Sequence, residues 1–520
     1  MVYAFELPST GHLSFQTSLA STTHPSLPQA ASTARHALRQ ALKTHKRLPR
    51  GAQRDANLPS ILTAITEYLP YLITISKALN TTPLDPNSPV TSVDLTLRSD
   101  IQPEWRPTLT ANSATRALKH PAPRVRGQGI DFEIAFVLTT MGYVLSQMAY
   151  SGVVRTLYNR TTPTQEQRTV AVQTATKHLL QASAVHTLLA SMAPVMTTGG
   201  GGGSVLPDLD PATQNALSLL ALAEATLLAV LKDDSYVAAC IQSRNPNDKD
   251  WMVRAPEIPK VRAHLFARLC LRAAEYADQA GAGLGSVRAD GGKSGIDEDL
   301  TRYVAVLGRV ARARACRFFG VDAELAGKIG EGIAWLRAAK GALGVRGARP
   351  DETETKSRGL SRLKQGWMER REERRMEKDA GSRDYHEKGE LSPGDHAGRE
   401  EEGRVIEMLE TKWVRMNDTV CSISDCLYTP VLNIFQINTQ LIPPSADLQA
   451  NLPSGRDIHS PPGPYKIPTL DAEELTHMRA PPMADELGMS SDMDSDEEPV
   501  GGLRSTTPGG FPERTDSAYY

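Results

Sequence analysis

The chain has 520 residues, with 58 Lys and Arg against 60 Asp and Glu and a formal net charge of -2. So small a net charge gives no global field that would draw it to nucleic acid or anionic lipid. No unbroken apolar run approaches the ~20 residues of a membrane span, and the first residues lack the basic region and apolar core of a secretory signal.

In the first hundred residues, Phe5-Glu6-Leu7 and Val93-Asp94-Leu95-Thr96-Leu97 alternate in the manner of short strands of a small sheet. Residues 34–44 and 58–79 read as helices, and Pro70 is expected to kink or split the second. Residues 126–149 then carry Phe132, Phe136, Met141, Leu145 and Met148 at helical spacing, with Ala135, Gly142, Ser146 and Ala149 between them. Small residues beside an apolar stripe let a second helix come close. The one charge inside that run, Glu133, lies near the helix start, where the dipole favours an anion.

Helix follows helix from there. Residues 165–192 have helical periodicity, residues 199–203 are a glycine loop, and residues 211–232 form a strongly apolar helix that Asp210 caps and Pro211 opens. Residues 259–279, 297–319 and 323–343 complete the array. The letters hold no fixed repeat. Residues 351–404 are dense in charge: 360–378 can form an exposed helix, and a solvated insertion is expected over about 375–403. Residues 403–419 are an amphipathic helix, and the tail 444–520, rich in proline, serine and acids, is expected to be disordered.

Catalytic chemistry finds little support. Gly291-Gly292-Lys293-Ser294 lacks the first glycine of a phosphate loop, Val287 standing there, and no strand precedes it. The twelve histidines form no metal-binding pair; His178 and His186, eight apart on one helix, read as partly exposed packing residues. Cys240, Cys270, Cys316, Cys421 and Cys426 contain no CxxC pair and suit a reducing compartment. No cofactor is called for, and the chain is read as a non-enzyme.

The segment FEIAFVLTTMGYVLSQMA resembles the signature helix of the Bro-one domain family, ESCRT-associated adaptors that include Alix and PalA, in the form found in the fungal pH-response regulators. FELPST, HPSLP, LKTHKRLP, NLPSILTAITEYLPYL, EWRPTL, PSGRDIHSP and MRAPP extend that resemblance, in order, over roughly residues 1–482. It implies a mainly α fold: an elongated, tetratricopeptide-like helical solenoid over residues 1–443 with a small amino-terminal sheet. It also implies an adaptor of alkaline-pH signalling, cytoplasmic and recruited peripherally to plasma or endosomal membranes. Such an adaptor binds the amphipathic carboxy-terminal helix of an ESCRT-III subunit of the Snf-seven (Vps-thirty-two) class and meets pH-signalling components there. A calpain-like protease then activates a PacC-type zinc-finger transcription factor. Endosomal sorting outside pH signalling and a generic tetratricopeptide-like scaffold are the alternatives.

By the same resemblance the partner helix sits on Ala229 or Val230, Leu265 and Leu269, the two leucines one turn apart on one helix. Alix has an aromatic residue where this chain has Ala229 or Val230, so the patch is smaller here. With only a short tail after Pro443, the chain is also expected to lack the long coiled arm and Pro-rich region of Alix and PalA. One segment breaks the resemblance. Residues 420–436 interrupt a run that otherwise joins Asn417-Asp418-Thr419 to Ile437-Asn438. It begins with Val, whose codons start GT, and ends in Phe-Gln, which TTTCAG encodes, so it reads either as a translated intron or as a loop with an apolar binding element.

Overall fold

The computed structural model describes residues 2–80, 93–110, 123–157, 163–197, 206–242, 260–287, 295–344, 395–420 and 440–480. The glycine loop 199–203, the Gly291–Ser294 run, the helix 360–378, residues 375–394 of the charged insertion, residues 421–436 and the tail beyond 480 lie outside them.

The architecture is mainly α. Helices α1 (Phe15–Ser18), α2 (Leu27–Arg47), α3 (Ala52–Ala56) and α4 (Leu58–Asn80) lead to α5 (Gly129–Leu157). Next come α6 (Gln165–Thr197), α7 (Pro211–Asp233), α8 (Ser235–Gln242), α9 (Lys260–Ser286), α10 (Glu298–Leu325) and α11 (Ile329–Leu343). The last are α12 (Arg399–Val420), α13 (Ser445–Ala450) and α14 (Ala472–Met478). Packing runs in series: α2 on α4, α4 on α5, α5 on α6, α6 on α7, α7 on α9, α9 on α10, α10 on α11 and α11 on α12. That is the solenoid arrangement, in which each helix buries its apolar face on its neighbours.

Helix α5 is buried almost throughout. Its small residues act as expected: a Cβ at Gly142 would lie 2.4 Å from Nε2 of His186 on α6. His186 is therefore a core residue, not a partly exposed one. It bonds Gln214 Oε1 at 2.7 Å, and burial pushes its imidazole down to about 4. Ala52–Asn80, α5 and α7 also have the length and hydropathy of membrane spans, although no apolar run is unbroken; the apolar windows of α5 and α7 are 83% buried against other helices. Pro70 lies inside α4 without splitting it. Helix α10 continues past the expected end at 319 to Leu325, and Gly327, at φ 78°, makes the turn into α11.

Two small antiparallel sheets flank the first helices: β1 (Ser9–Thr10), β4 (Glu104–Arg106) and β5 (Val125–Arg126) in the order β1-β4-β5, and β2 (Leu19–Ala20) with β3 (Thr96–Leu97). The second expected strand falls on β3, whereas Phe5–Leu7 is not a strand: Phe5 stacks on Tyr143 of α5 at 4.7 Å. Trp105 of β4 is fully buried, and its indole donates to Glu133 at 2.6 Å. Arg35 and the Tyr68 hydroxyl reach the same carboxylate at 2.9 and 3.2 Å. Glu133 thus ties α2, α4 and the sheet to α5.

At the other end the charged insertion does not stay solvated through residue 403. Helix α12 begins at Arg399, and Glu402 is fully buried. Its carboxylate takes Arg314 Nε at 3.0 Å and Arg317 Nε at 2.5 Å, both from α10, and Arg317 also holds Asp234, which caps α8. Two cations face two anions, so the cluster is neutral and can be buried. The expected disorder from residue 444 does not hold for 444–480 either. Its polar backbone finds partners on the helices, through contacts described next.

Candidate docking face on helices α7 and α9

The carboxy-terminal strap, residues 440–479, runs back along the solenoid. Gln449 Nε2 donates to the Ala338 carbonyl of α11 at 2.6 Å. On α9, Arg268 Nε donates to the Ser454 carbonyl at 3.1 Å and the Arg456 amide donates to the Arg268 carbonyl at 3.0 Å. The Tyr465 amide then reaches the Ala184 carbonyl of α6 at 3.0 Å, and the Ser26 hydroxyl donates to the Met478 carbonyl at 3.3 Å, at the start of α2.

Asp457 fixes the crossing over α9. It accepts from Arg272 Nε at 2.7 Å and from the Tyr276 hydroxyl at 2.6 Å, while Arg272 lies 4.4 Å over the Tyr276 ring. The hydrogen bond from Tyr276, aided by Arg272, outweighs burial and holds the Asp457 carboxyl below its ordinary value. The Gly455 amide donates to Glu275 at 3.0 Å, and a Cβ on Gly455 would stand 2.6 Å from the backbone of Arg272. Only glycine allows so close an approach.

One turn before Arg268 lies Leu265, half-buried on the side of α9 along which the strap passes. Asp233 at the end of α7 pairs with Arg262 at the start of α9 at 3.8 Å, which brings these two helix ends together. Ala229, one turn before Asp233, is also half-buried. Of the four residues assigned to the partner patch, then, Ala229 and Leu265 stand at the surface. Val230 and Leu269, 0% and 2% exposed, lie beneath them in the core. The surface apolar area is smaller than the sequence implied, and Arg268, Arg272 and the strap border it.

Sequence reasoning missed the strap as part of this face. Its signal, PSGRDIHSP, was legible only as a resemblance. The run's Gly, Arg and Asp turn out to be the residues that dock it, and they leave Ile458 46% exposed beside Asp457.

The buried polar groups here serve packing. Burial pushes the thiols of Cys270 and Cys316 up to about 12, so both are protonated at neutral pH and poor nucleophiles. The Arg314–Glu402–Arg317–Asp234 cluster lies behind the face and anchors the α7–α8 junction through Asp234.

Residues 13–379 match the BRO1-like domain. Over their full lengths, the chain is 62% identical to the pH-response regulator protein palC of Emericella nidulans. Among solved structures it resembles an ALIX BRO1–CHMP4C complex, with a TM-score of 0.50 at 14% identity, covering 90% of this chain and 96% of that one. It also resembles ALIX bound to the SIVmac239 PYKEVTEDL late domain, with a TM-score of 0.52 at 15% identity; 94% of this chain is covered, and it spans about half of that one, 52%. At such identities these likenesses speak for the fold, which agrees with the helical series and small sheets above. With the domain match over most of its length and a full-length relative at 62% identity, the chain belongs to the BRO1-like domain family, among the members similar to the pH-response regulators.

Proposed function

We propose that the chain is a non-catalytic adaptor of ambient alkaline-pH signalling. It binds the amphipathic carboxy-terminal helix of an ESCRT-III subunit at the face formed by Ala229 and Leu265, and so promotes proteolytic activation of a PacC-type transcription factor at a membrane. The observation that carries the reading is the full-length, 62% identity to a pH-response regulator. The docking mode is supported by the fold shared with a solved ALIX domain bound to CHMP4C and by an apolar pair at the surface bordered by Arg268 and Arg272. An amphipathic helix laid in such a place gains affinity from a few apolar anchors.

The test uses Leu265→Asp, at a side chain half-buried at the edge of the core. Binding of a synthetic ESCRT-III carboxy-terminal helix is expected to weaken by about 2 kcal/mol, roughly thirtyfold, as for an interface hot spot. Circular dichroism should be unchanged. Unaltered affinity in a folded variant refutes the site. Growth at alkaline pH of a deletion strain, restored by the wild-type gene but not by this variant, tests the pathway; failure of the wild-type gene to restore it refutes the pH role.

A further inference from the structure

Charge is distributed very unevenly near the amino terminus. From Leu7 to Arg54 there is no Asp or Glu, while Arg35, Arg39, Lys43, Lys46, Arg47, Arg50 and Arg54 fall inside that stretch. Arg35 is consumed by Glu133 in the core. Arg54 lies half-buried in α3 and donates to His45 Nε2 at 3.1 Å; the others belong to the outer side of α2 and the loop after it. Helix α2 buries Ala31, Arg35, Leu38, Leu42 and His45 and turns Arg39, Lys43, Lys46 and Arg47 outward, at spacings of four, three and one.

No carboxylate among the described residues pairs with those four cations. The acids nearby are few: Glu6 sits 3.6 Å from Arg50, and Asp55 is engaged by Arg155 at 3.4 Å. More positive charge adjoins from the sheet. Partial burial and then Arg106, with a smaller push from Arg124, hold the Lys46 ammonium below its ordinary value against the opposing pull of Glu6, so like charges outnumber unlike ones on this surface. Such crowding costs stability, and among the described residues Glu6 alone offsets it at Lys46.

We propose that this basic face of α2, extended by Arg50, Arg106 and Arg124, is a docking surface for an anionic lipid bilayer. The inference deepens the reading above, since that reading places the adaptor at a membrane without saying what holds it there. Charge complementarity supplies the argument. Lys43, Lys46, Arg47, Arg50 and Arg124 are exposed, with Arg39 and Arg106 half-buried beside them; the four on α2 spread along some two turns of helix, suited to a planar array of headgroups. The outward side of α2 carries no Phe, Tyr or Trp on which nucleobases would stack. The face lies on a different helix from Ala229 and Leu265, so lipid and partner helix have separate sites.

The experiment is co-sedimentation of the full chain, without any ESCRT-III protein, with vesicles of phosphatidylcholine alone or with 30% phosphatidylserine. Each cation near an anionic surface is worth roughly fivefold in partitioning. Binding to the serine-containing vesicles is expected, falling as salt rises, and the triple variant Lys43→Glu, Lys46→Glu, Arg47→Glu should lose roughly a hundredfold. These three side chains are exposed, so the fold is retained. A control reversing Lys177 and Arg309, exposed on α6 and α10, should bind as wild type, as should Leu265→Asp. The triple variant should in turn bind the ESCRT-III helix normally, so failure of one site is told apart from failure of the other. The proposal is overturned if phosphatidylserine adds nothing at low salt, if the control loses as much as the triple variant, or if a 20-nucleotide RNA binds this face more tightly than the vesicles.

Discussion

Replacing Glu402 by Gln tests whether helix α12 is held by buried charge. In the native protein Glu402, Arg314, Arg317 and Asp234 have side chains at most 1% exposed, and their formal charges cancel. The neutral amide removes the carboxylate that both guanidinium groups share, so the buried cluster loses one of its two negative charges. Breaking such a pair from one side costs about 3–5 kcal/mol, a large share of the ~5–15 kcal/mol that holds a typical protein folded. Glu407→Gln, on the exposed side of the same helix, should cost under about 0.5 kcal/mol. Urea unfolding followed by tryptophan fluorescence reads the event, because Trp413 of α12, buried against Gly320 and Gly332, contributes to the signal with the other buried tryptophans Trp105 and Trp335. Burial opposes ionisation of Glu402, but Arg317 and Arg314 outweigh it and hold the carboxyl below its ordinary value. A depressed carboxyl stabilises fully above its unfolded pKa and ceases to do so as pH falls through the folded one. The gap between wild type and Glu402→Gln should therefore be widest at neutral pH and close in acid. A loss below about 1 kcal/mol at pH 7, or a gap that widens in acid, refutes the reasoning.

Three further outcomes are expected. Burial raises the Glu224 carboxyl to about 7 despite bonds from the Tyr3 amide and the Tyr303 hydroxyl. The folded state then binds more protons than the unfolded one between about pH 4.5 and 7, and stability falls as pH rises through that window. Glu224→Gln should flatten the fall and gain up to about 3 kcal/mol at pH 8; identical pH profiles from urea titrations would contradict it. Gly455→Ala should lift the strap off α9 at a cost of about 1–3 kcal/mol, seen as lost hydrogen-exchange protection at the Arg456 amide, and unchanged protection there argues against the contact. Deleting residues 420–436 should leave stability unchanged or raised, because the Gln440 amide donates to Asn417 Oδ1 at 3.2 Å and a short loop can join points so close. Transcript reads that all retain the segment would exclude the intron reading.

Most of the helical series could be read from the letters because amphipathic spacing and small residues are local signals. Gly142 and its neighbours foretold a close helix contact, and α6 supplies it. What the letters hid depends on distant partners. Glu402 sits in a run of acids that looks solvated until Arg314 and Arg317, 88 and 85 positions away, neutralise it. Pro-rich residues 444–480 look disordered because no core-forming pattern is present, yet their order comes from backbone and side-chain bonds to α9, α6 and α2. Of the residues proposed for docking, the sequence makes half legible. One-turn spacing put Leu265 and Leu269 on one side of a helix, but which of them the neighbouring helices cover is decided by packing, and they cover Leu269.

The buried polar clusters share a position in this architecture. Apolar contacts are non-directional, so they tolerate a shifted helix better than a buried charge does. A buried charge cannot slide. Glu133 meets Arg35, Tyr68 and Trp105 in one register of α2, α4 and β4 on α5. Glu224 meets Tyr3 and Tyr303 in one placement of the amino-terminal segment against α7 and α10. Glu402 does the same for α12. Any slipped register leaves a charge or carboxyl buried without its partner, a penalty of several kcal/mol that the apolar contacts do not supply. The clusters stand where the first segments and α12 join the series, at junctions that the helix-on-helix pattern leaves least specified. A face set between the ends of α7 and α9 inherits its geometry from them, since Asp234, which Arg317 holds, directly follows the helix that presents Ala229.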